Sequence, residues 1–375
     1  MKNIVNLGNV ATYINGYAFK PSDWAEDGTP IIRIQDLTGN SYQMNRFKGK
    51  VDSKYDVISG DVLISWSASL GVYVWNRGNA VLNQHIFKVV FDKVEVDKDF
   101  FVFQVDNLLK RAASQAHGAT MRHLTKLVFD ALPFYLPDIK TQRLISSKLN
   151  LIVHLIEDYR EQLNKLDELI RSRFLEMFGH SDRPKVRLGE CCIINPKKSS
   201  DIRLVDNDLM VSFVSMSDVS EDGRIVTCNH KQYESVKSGL TYFSENDVLF
   251  AKITPCMENG KGGIAKGLLN GIGFGSTEFH VLRPVDQVSN SCWLYELTSF
   301  PQFRQAAEIN MTGSAGQRRV PASFLANYKV SLPPISLQNQ FADFVHQLDK
   351  SKMAVQKSLD ELEILKKSLM QTYFG

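Results

Sequence analysis

Two basic pairs stand behind runs of small residues. Arg318-Arg319 follows Gly313-Ser314-Ala315-Gly316-Gln317, and Arg122-His123 follows His117-Gly118-Ala119-Thr120-Met121. Phosphate contacts position a nucleic acid, and base contacts specify it. Arg and Asn/Gln offer paired groups that match the edges of guanine and adenine. The candidates in the first half are Lys20, Arg33, Gln35, Arg77, Asn83, Gln84, His85, His117, Arg122 and His123, with Ser65-Trp66-Ser67 adding small donors around an aromatic. In the second half they are Lys197, Lys198, Lys252, Thr254, Lys261, Gln317, Arg318 and Arg319. Each has a plainer alternative, a solvated charge or an internal hydrogen bond. Arg33 has Asp36 within reach, and His85 and His280 have the apolar flanks of core histidines that hold loops.

Chemistry of other kinds finds little support. The chain has no GxxxxGK[ST] loop, no HExxH and no GxSxG. Gly260-Lys261-Gly262-Gly263-Ile264-Ala265 fits a loose GxGxxA pattern, but it lacks the strand-turn-helix setting of a dinucleotide site, and a hairpin or exposed loop is expected. Asn195-Pro196-Lys197-Lys198 and Leu332-Pro333-Pro334-Ile335 both fail the Asn/Asp-Pro-Pro-aromatic pattern of amino-group methylation. Pro137-Asp138-Ile139-Lys140 resembles a nuclease element only loosely and is read as structural. Five cysteines without a CxxC argue against a disulfide framework or zinc ribbon. Cys191-Cys192 with His230 or His280 is a remote metal possibility beside the plainer one, buried thiols in a reducing cytoplasm. The net charge is only +3, so any binding of nucleic acid rests on local basic faces. No signal peptide or membrane span is expected.

The elements that must position these residues occur twice. Val5-Asn6-Leu7-Gly8 returns as Val186-Arg187-Leu188-Gly189, and Asp61-Val62-Leu63-Ile64 as Asp247-Val248-Leu249-Phe250. Pro137-Asp138-Ile139-Lys140-Thr141-Gln142 returns as Pro333-Pro334-Ile335-Ser336-Leu337-Gln338. From that glutamine both copies run without a gap to Phe-Gly, at 178–179 and 374–375. Apolar residues at Ile145, Leu149, Ile152, Ile156, Tyr159, Leu163, Leu166 and Ile170 alternate steps of four and three, with Phe174 a further four on, the seam of a coiled coil. Phe341, Val345, Leu348, Val355, Leu359, Leu362 and Met370 repeat it, with Lys352 and Lys366 as polar seam positions that can fix register.

The expected fold is α+β, with two tandem domains of small, irregular, mostly antiparallel sheets. Two long helices, pairing as an antiparallel coiled coil, join them. Strands are expected at Ile31–Ile34, Asp61–Ser65, Gly71–Trp75 and Ala80–Val90, and at Asp247–Ile253, Gly263–Ala265 and Phe279–Leu282. Helices are expected around Phe100–Ala113 and Ser291–Ala307. The boundaries read 1–141, 142–180, 181–337 and 338–375. A helix of about 37 residues reaches roughly 55 Å, at most about 16 base pairs of duplex.

Further residues carry a family resemblance. They are Leu7-Gly8, Asn15-Gly16-Tyr17-Ala18-Phe19-Lys20, Pro30-Ile31-Ile32-Arg33-Ile34, Gly60-Asp61-Val62-Leu63-Ile64-Ser65 and Asn83-Gln84-His85-Ile86-Phe87. The second copy adds Ser276-Thr277-Glu278-Phe279-His280-Val281-Leu282-Arg283-Pro284 and the segment Gly313 to Pro321. In this order, twice, each set followed by a coiled-coil helix, they resemble a type I restriction–modification specificity subunit over the full length. The resemblance implies two target recognition domains, 1–141 and 181–337, each reading half of a bipartite site in double-stranded DNA. It also implies a central spacer helix at 142–180 and a C-terminal one at 338–375. The partners it implies are two methyltransferase subunits, which carry S-adenosylmethionine, and restriction subunits. The chain itself is expected to hold no cofactor, no metal and no catalytic site, and to work in the cytoplasm without a membrane. With no longer segment before the first domain, the C-terminal helix is expected to be the sole partner of the central one. Glu157, Arg160, Glu161, Arg171 and Arg173 either meet the methyltransferase subunits or form a solvated face. The two copies differ outside their framework, so an asymmetric target is expected. A self-sufficient nuclease and a coiled-coil scaffold that binds no DNA are the competing functions.

Overall fold

The computed structural model describes residues 3–39, 43–115, 125–179, 184–201, 203–204, 208–226, 229–314 and 316–375. Its contacts divide the chain into two units, Met1–Arg160 with Lys357–Gly375, and Glu161–Gln356.

The first unit holds a sheet of strand order Thr12–Asn15, Ile86–Val90, Val62–Ser65 and Gly71–Val74, with antiparallel neighbours throughout. A second sheet runs Arg46–Phe47, Thr29–Ile32, Ala80–Leu82, Asp56–Val57, and its middle pair is parallel, Ile31 opposite Val81. Ile4–Asn6 pairs with Pro133–Tyr135 as a separate ribbon. The second unit repeats this plan strand for strand. Its sheets run Cys192–Ile194, Phe279–Pro284, Val248–Ala251, Gly262–Ile264 and His230–Gln232, Met210–Val214, Ile272–Gly275, Thr241–Ser244. Again one central pair is parallel, Ser212 opposite Gly273, and Lys185–Arg187 pairs with Lys329–Ser331. Two glycines admit the Phe243 ring and the neighbouring strand. A Cβ on Gly273 would lie 2.1 Å from that ring, and one on Gly275 2.4 Å from the Val214 carbonyl.

Each unit thus holds two small sheets and a ribbon, in keeping with the small, mostly antiparallel sheets expected. The expected strand Ile31–Ile34 ends at Ile32, because Arg33 caps a short helix, Ile34–Leu37, and its N–H donates to Asp36 Oδ2 at 2.9 Å. Ala80–Val90 is two strands, split where His85 takes a φ of +72°. Phe100–Ala113 lies inside a helix, Lys98–Gln115. Ser291–Ala307 is two helices, Ser291–Ser299 and Pro301–Ile309, since Pro301 cannot donate into the preceding turn.

Both long helices are present, the central one at Ile139–Phe178 and the C-terminal one at Ile335–Phe374. Each spans 40 residues, about 60 Å. The unit division falls part-way along both. In the second unit Phe174 meets Phe341 edge-on at 5.5 Å, while Asp167 pairs with Lys352 at 2.6 Å, so the helices run antiparallel. Lys352 therefore finds an acidic partner across the seam. In the first unit Arg160 pairs with Glu363 at 2.7 Å. The seam residues Ile145, Leu149, Ile152, Ile156, Ile170, Phe174, Phe341, Val345, Val355 and Leu359 are buried.

The helices belong to the domain cores. Ile145, Leu149 and Phe374 join Phe100, Phe101 and Phe134 in the first unit, and Phe174, Phe178, Phe341 and Val345 join Trp293 and Phe303 in the second. The repeated glutamine fixes each junction. Gln142 is buried, accepts from the Asp97 N–H at 2.9 Å and donates to the Pro137 carbonyl at 2.8 Å. Gln338, also buried, accepts from the Asn290 N–H at 3.0 Å and donates to the Pro333 and Val288 carbonyls at 2.9 Å.

Candidate nucleic-acid interface

In the second unit the framework brings Lys252, Thr254, Gln317, Arg318 and Arg319 onto one edge. Strand Val248–Ala251 runs directly into Lys252, whose N–H donates to the Glu278 carbonyl at 2.9 Å. Ile253 bridges to Arg319, the Thr254 N–H donates to the Arg318 carbonyl at 3.1 Å, and the Val320 N–H donates to the Lys252 carbonyl at 2.9 Å. The segment after Lys252 is thus laced to the segment that carries the arginines.

A buried histidine and a buried arginine brace this edge from below. His280 Nε2 lies 2.8 Å from the Val320 carbonyl and Nδ1 3.0 Å from Asn195 Nδ2. Burial lowers the His280 pKa, so the neutral ring donates from Nε2. This is the loop-holding role that its apolar flanks suggest. Arg304, buried over the Phe250 ring at 4.6 Å, donates to the Met257 carbonyl at 3.0 Å and the Gly260 carbonyl at 3.1 Å. Desolvation brings its pKa down to about 10. The Gly260–Ala265 stretch is therefore a pinned hairpin. Gly262–Ile264 pairs antiparallel with Val248–Phe250, and Lys261 Nζ donates to the Met216 carbonyl at 3.1 Å. Thr254 Oγ1 donates to Glu258 Oε1 at 2.9 Å.

Lys252 also lines a cleft of about 500 Å³ with Lys197, Lys198 and Lys237. Lys198 Nζ donates to the Lys237 carbonyl, and Lys237 Nζ reaches Glu234 Oε2 at 2.6 Å. Lys237 was not among the residues singled out from the sequence. A lone lysine in a Ser-Gly turn carries no pattern until Lys197-Lys198 is folded against it. Nearby, Arg203 chelates Asp201 at 2.6 and 2.8 Å and holds that carboxyl far below its ordinary range.

The first unit places its candidates differently. Trp66 stacks on Phe87 at 5.6 Å, meets the His85 ring edge-on at 5.1 Å and donates to Asn15 Oδ1 at 3.2 Å. His85 Nδ1 and Asn83 Oδ1 are buried and have no hydrogen-bond partner among the described residues. Gln84 donates its N–H to the Tyr17 carbonyl at 2.8 Å in the same turn. Ser65 and Ser67 are buried, and Ser65 Oγ donates to the Ser67 carbonyl at 3.1 Å. Arg33 is half-buried, 3.5 Å from Asp36 and 5.6 Å from the Trp24 ring centre, so its charge faces an internal carboxylate. Lys20 and Gln35 are exposed beside short helical turns, and exposed Arg77 lies over Trp75 at 5.6 Å. His117, Arg122 and His123 lie outside the described residues.

Cys191 and Cys192 are buried, with thiols pushed up to about 11 and about 12 by burial. Both donate to carbonyls of the preceding turn, in keeping with a packing role. Among the described residues no helix is long and apolar enough to cross a membrane, and no three His, Cys, Asp or Glu residues could hold a metal ion.

The model of the type I restriction modification DNA specificity domain matches residues 2–167 and 181–363, one match per copy of the repeat. The chain belongs to this family. The chain also resembles specificity subunits by sequence. The Escherichia coli type I restriction enzyme EcoEI specificity subunit is 36% identical over 197 residues, 50% of this chain and 32% of that protein. The EcoAI specificity subunit, also of Escherichia coli, is 38% identical over 189 residues, 48% of this chain and 31% of its own. The match thus spans about a third of the length of these relatives. The Methanocaldococcus jannaschii MjaVIII specificity subunit is 20% identical over 398 residues, covering 98% of this chain and 90% of that one. In fold, the chain is similar to the type I S subunit from M. genitalium, with a TM-score of 0.56, 12% identity and coverage of 100% and 96%. A chain from a structure of type I restriction–modification complex assembly gives 0.56, 17%, and coverage of 99% and 97%.

Proposed function

We propose that this chain is the sequence-reading, non-catalytic subunit of a type I restriction–modification assembly. Each specificity domain reads one half of an asymmetric bipartite DNA site. The observation that carries this reading is one strand order used twice with different chemistry at matched edge positions. Register sets Ile64 opposite Phe87 and Phe250 opposite His280, so Trp66 and His85 of the first unit correspond to Lys252 and Glu278 of the second. An invariant frame with variable edge residues suits two readers of different sequence.

The lysine-lined cleft suits the DNA backbone, where cations neutralise phosphates without reading sequence. The edge from Lys252 to Arg319 suits base contact. The helix pair supplies the spacing between half-sites. S-adenosylmethionine and the methyl-transfer chemistry belong to methyltransferase subunits, two per chain, and cleavage to restriction subunits. Exposed Leu144, Leu151 and Ile364 on the long helices, with Glu157, Arg160, Glu161, Arg171 and Arg173, are the surface offered to those partners.

Genome-wide mapping of modified bases, with and without this gene, tests the reading. Loss of one bipartite, non-palindromic methyladenine motif on deletion is the expected result. A palindromic motif would overturn the asymmetry. No motif, even with active partner subunits co-expressed, would overturn the DNA reading itself.

A further inference from the structure

The segment from Thr312 to Arg319 presents two adjacent arginines in opposite states. Arg319 is already engaged. Its Nε and Nη2 donate to the two oxygens of Glu278, both at 2.9 Å, and its Nη1 donates to the Gln317 carbonyl at 3.0 Å. Three of its five N–H donors are thereby committed, two of them to one carboxylate in the bidentate way that fixes a guanidinium's orientation.

Arg318 has a fixed backbone and a fork that makes ion pairs but no hydrogen bond among the described residues. Its carbonyl accepts from the Thr254 N–H at 3.1 Å, and the next residue is paired both ways with Thr312, at 2.8 and 2.9 Å. Its Nη2 stands 3.5 Å from Glu258 Oε1 and 3.8 Å from Glu308 Oε1. Both separations exceed a hydrogen bond, and 39% of the side chain is exposed. Two carboxylates hold the guanidinium as loose ion pairs and not as hydrogen-bonded partners.

Those carboxylates also choose the ligand. A phosphate brought to Arg318 would meet the negative charge of Glu258 and Glu308 at close range. The O6 and N7 atoms of guanine are neutral acceptors, spaced for an arginine fork.

We infer that Arg318 is a guanine-reading side chain of the second specificity domain, and that Arg319 is a positioning residue that holds the Arg318 backbone through Glu278. This rests on the DNA reading above. It assigns one base type in one half-site to one side chain.

The test uses the full chain co-expressed with its methyltransferase subunits, after S-adenosylmethionine binding by the complex has been verified. Modified bases are mapped for wild type, Arg318→Ala and Arg318→Lys. Arg318→Lys keeps the charge but not the fork, and thermal unfolding checks that both variants fold. The expected result is relaxation at one guanine position of one half-site, with about ten- to a hundredfold lost discrimination there. The other half-site stays unchanged, as does the slope of log affinity against log salt. A uniform loss of affinity with a shallower slope would make Arg318 a phosphate contact and overturn the inference. So would an unaltered motif in Arg318→Ala. A wild-type complex that yields no motif would instead overturn the DNA reading, and this inference with it.

Discussion

Glu296 lies on helix Ser291–Ser299, buried against residues of both long helices. Burial pushes its carboxyl up to about 7, Arg171 and Lys352 oppose the rise, and Asp167 and Asp349 add to it. A carboxyl with a raised folded value favours the fold fully below its unfolded value, and that contribution is lost as pH rises through 7. Glu296→Gln should therefore raise the stability of the second unit at pH 8, by about 2–3 kcal/mol, and leave it unchanged at pH 4. Thermal unfolding at both values checks this, and an equal effect at both would refute it. His280 works in the opposite sense. Burial lowers its value, so the fold loses stability as pH falls below 6.5, where the unfolded chain takes up the proton first. His280→Gln should flatten that acid limb in the same titration.

At the level of elements, the repeated glutamine is a better target than any residue of the seam. Gln338→Ala removes the acceptor of the Asn290 N–H and the donor to two carbonyls at a buried junction. The expected cost is about 2–3 kcal/mol, measured by denaturant unfolding. Lys352→Ala, which opens a partly exposed ion pair, should cost less than about 1 kcal/mol. The glutamine was legible in the sequence as a landmark of the repeat, but its role was not, because its partner Asn290 lies 48 positions away. The long helices were fully legible, since four-three spacing is a local signal. Strands such as Thr12–Asn15 and Ile272–Gly275 were not. They are short, and glycines interrupt the second. The parallel pairing of Ile31 with Val81 joins distant segments that no local pattern links. The interface follows the same rule. Arg318-Arg319 stood out by position, while the engagement of Arg319 with Glu278, 41 residues earlier, required the fold.

For the whole molecule, the division into units does not follow the order of the chain. Lys357–Gly375 belongs with Met1–Arg160. The Phe100 ring packs on Phe374 at 5.4 Å, and Arg111 and Asn107 donate to the Phe374 carbonyl at 3.1 and 3.4 Å. Truncation after Gln356 should therefore loosen the first unit and spare the second. Hydrogen exchange would show faster amide exchange along Lys98–Gln115 and little change in Val248–Ala251. Protection lost first in Val248–Ala251 would contradict the assignment. The same arrangement sets a schedule during synthesis. Domains ordinarily fold in the order in which they leave the ribosome. Here the first-made domain cannot close its core until Phe374 has been polymerised and has cleared the exit tunnel, whereas Glu161–Gln356 can close sooner. A polypeptide interrupted between Lys357 and Gly375 would hold only one finished unit.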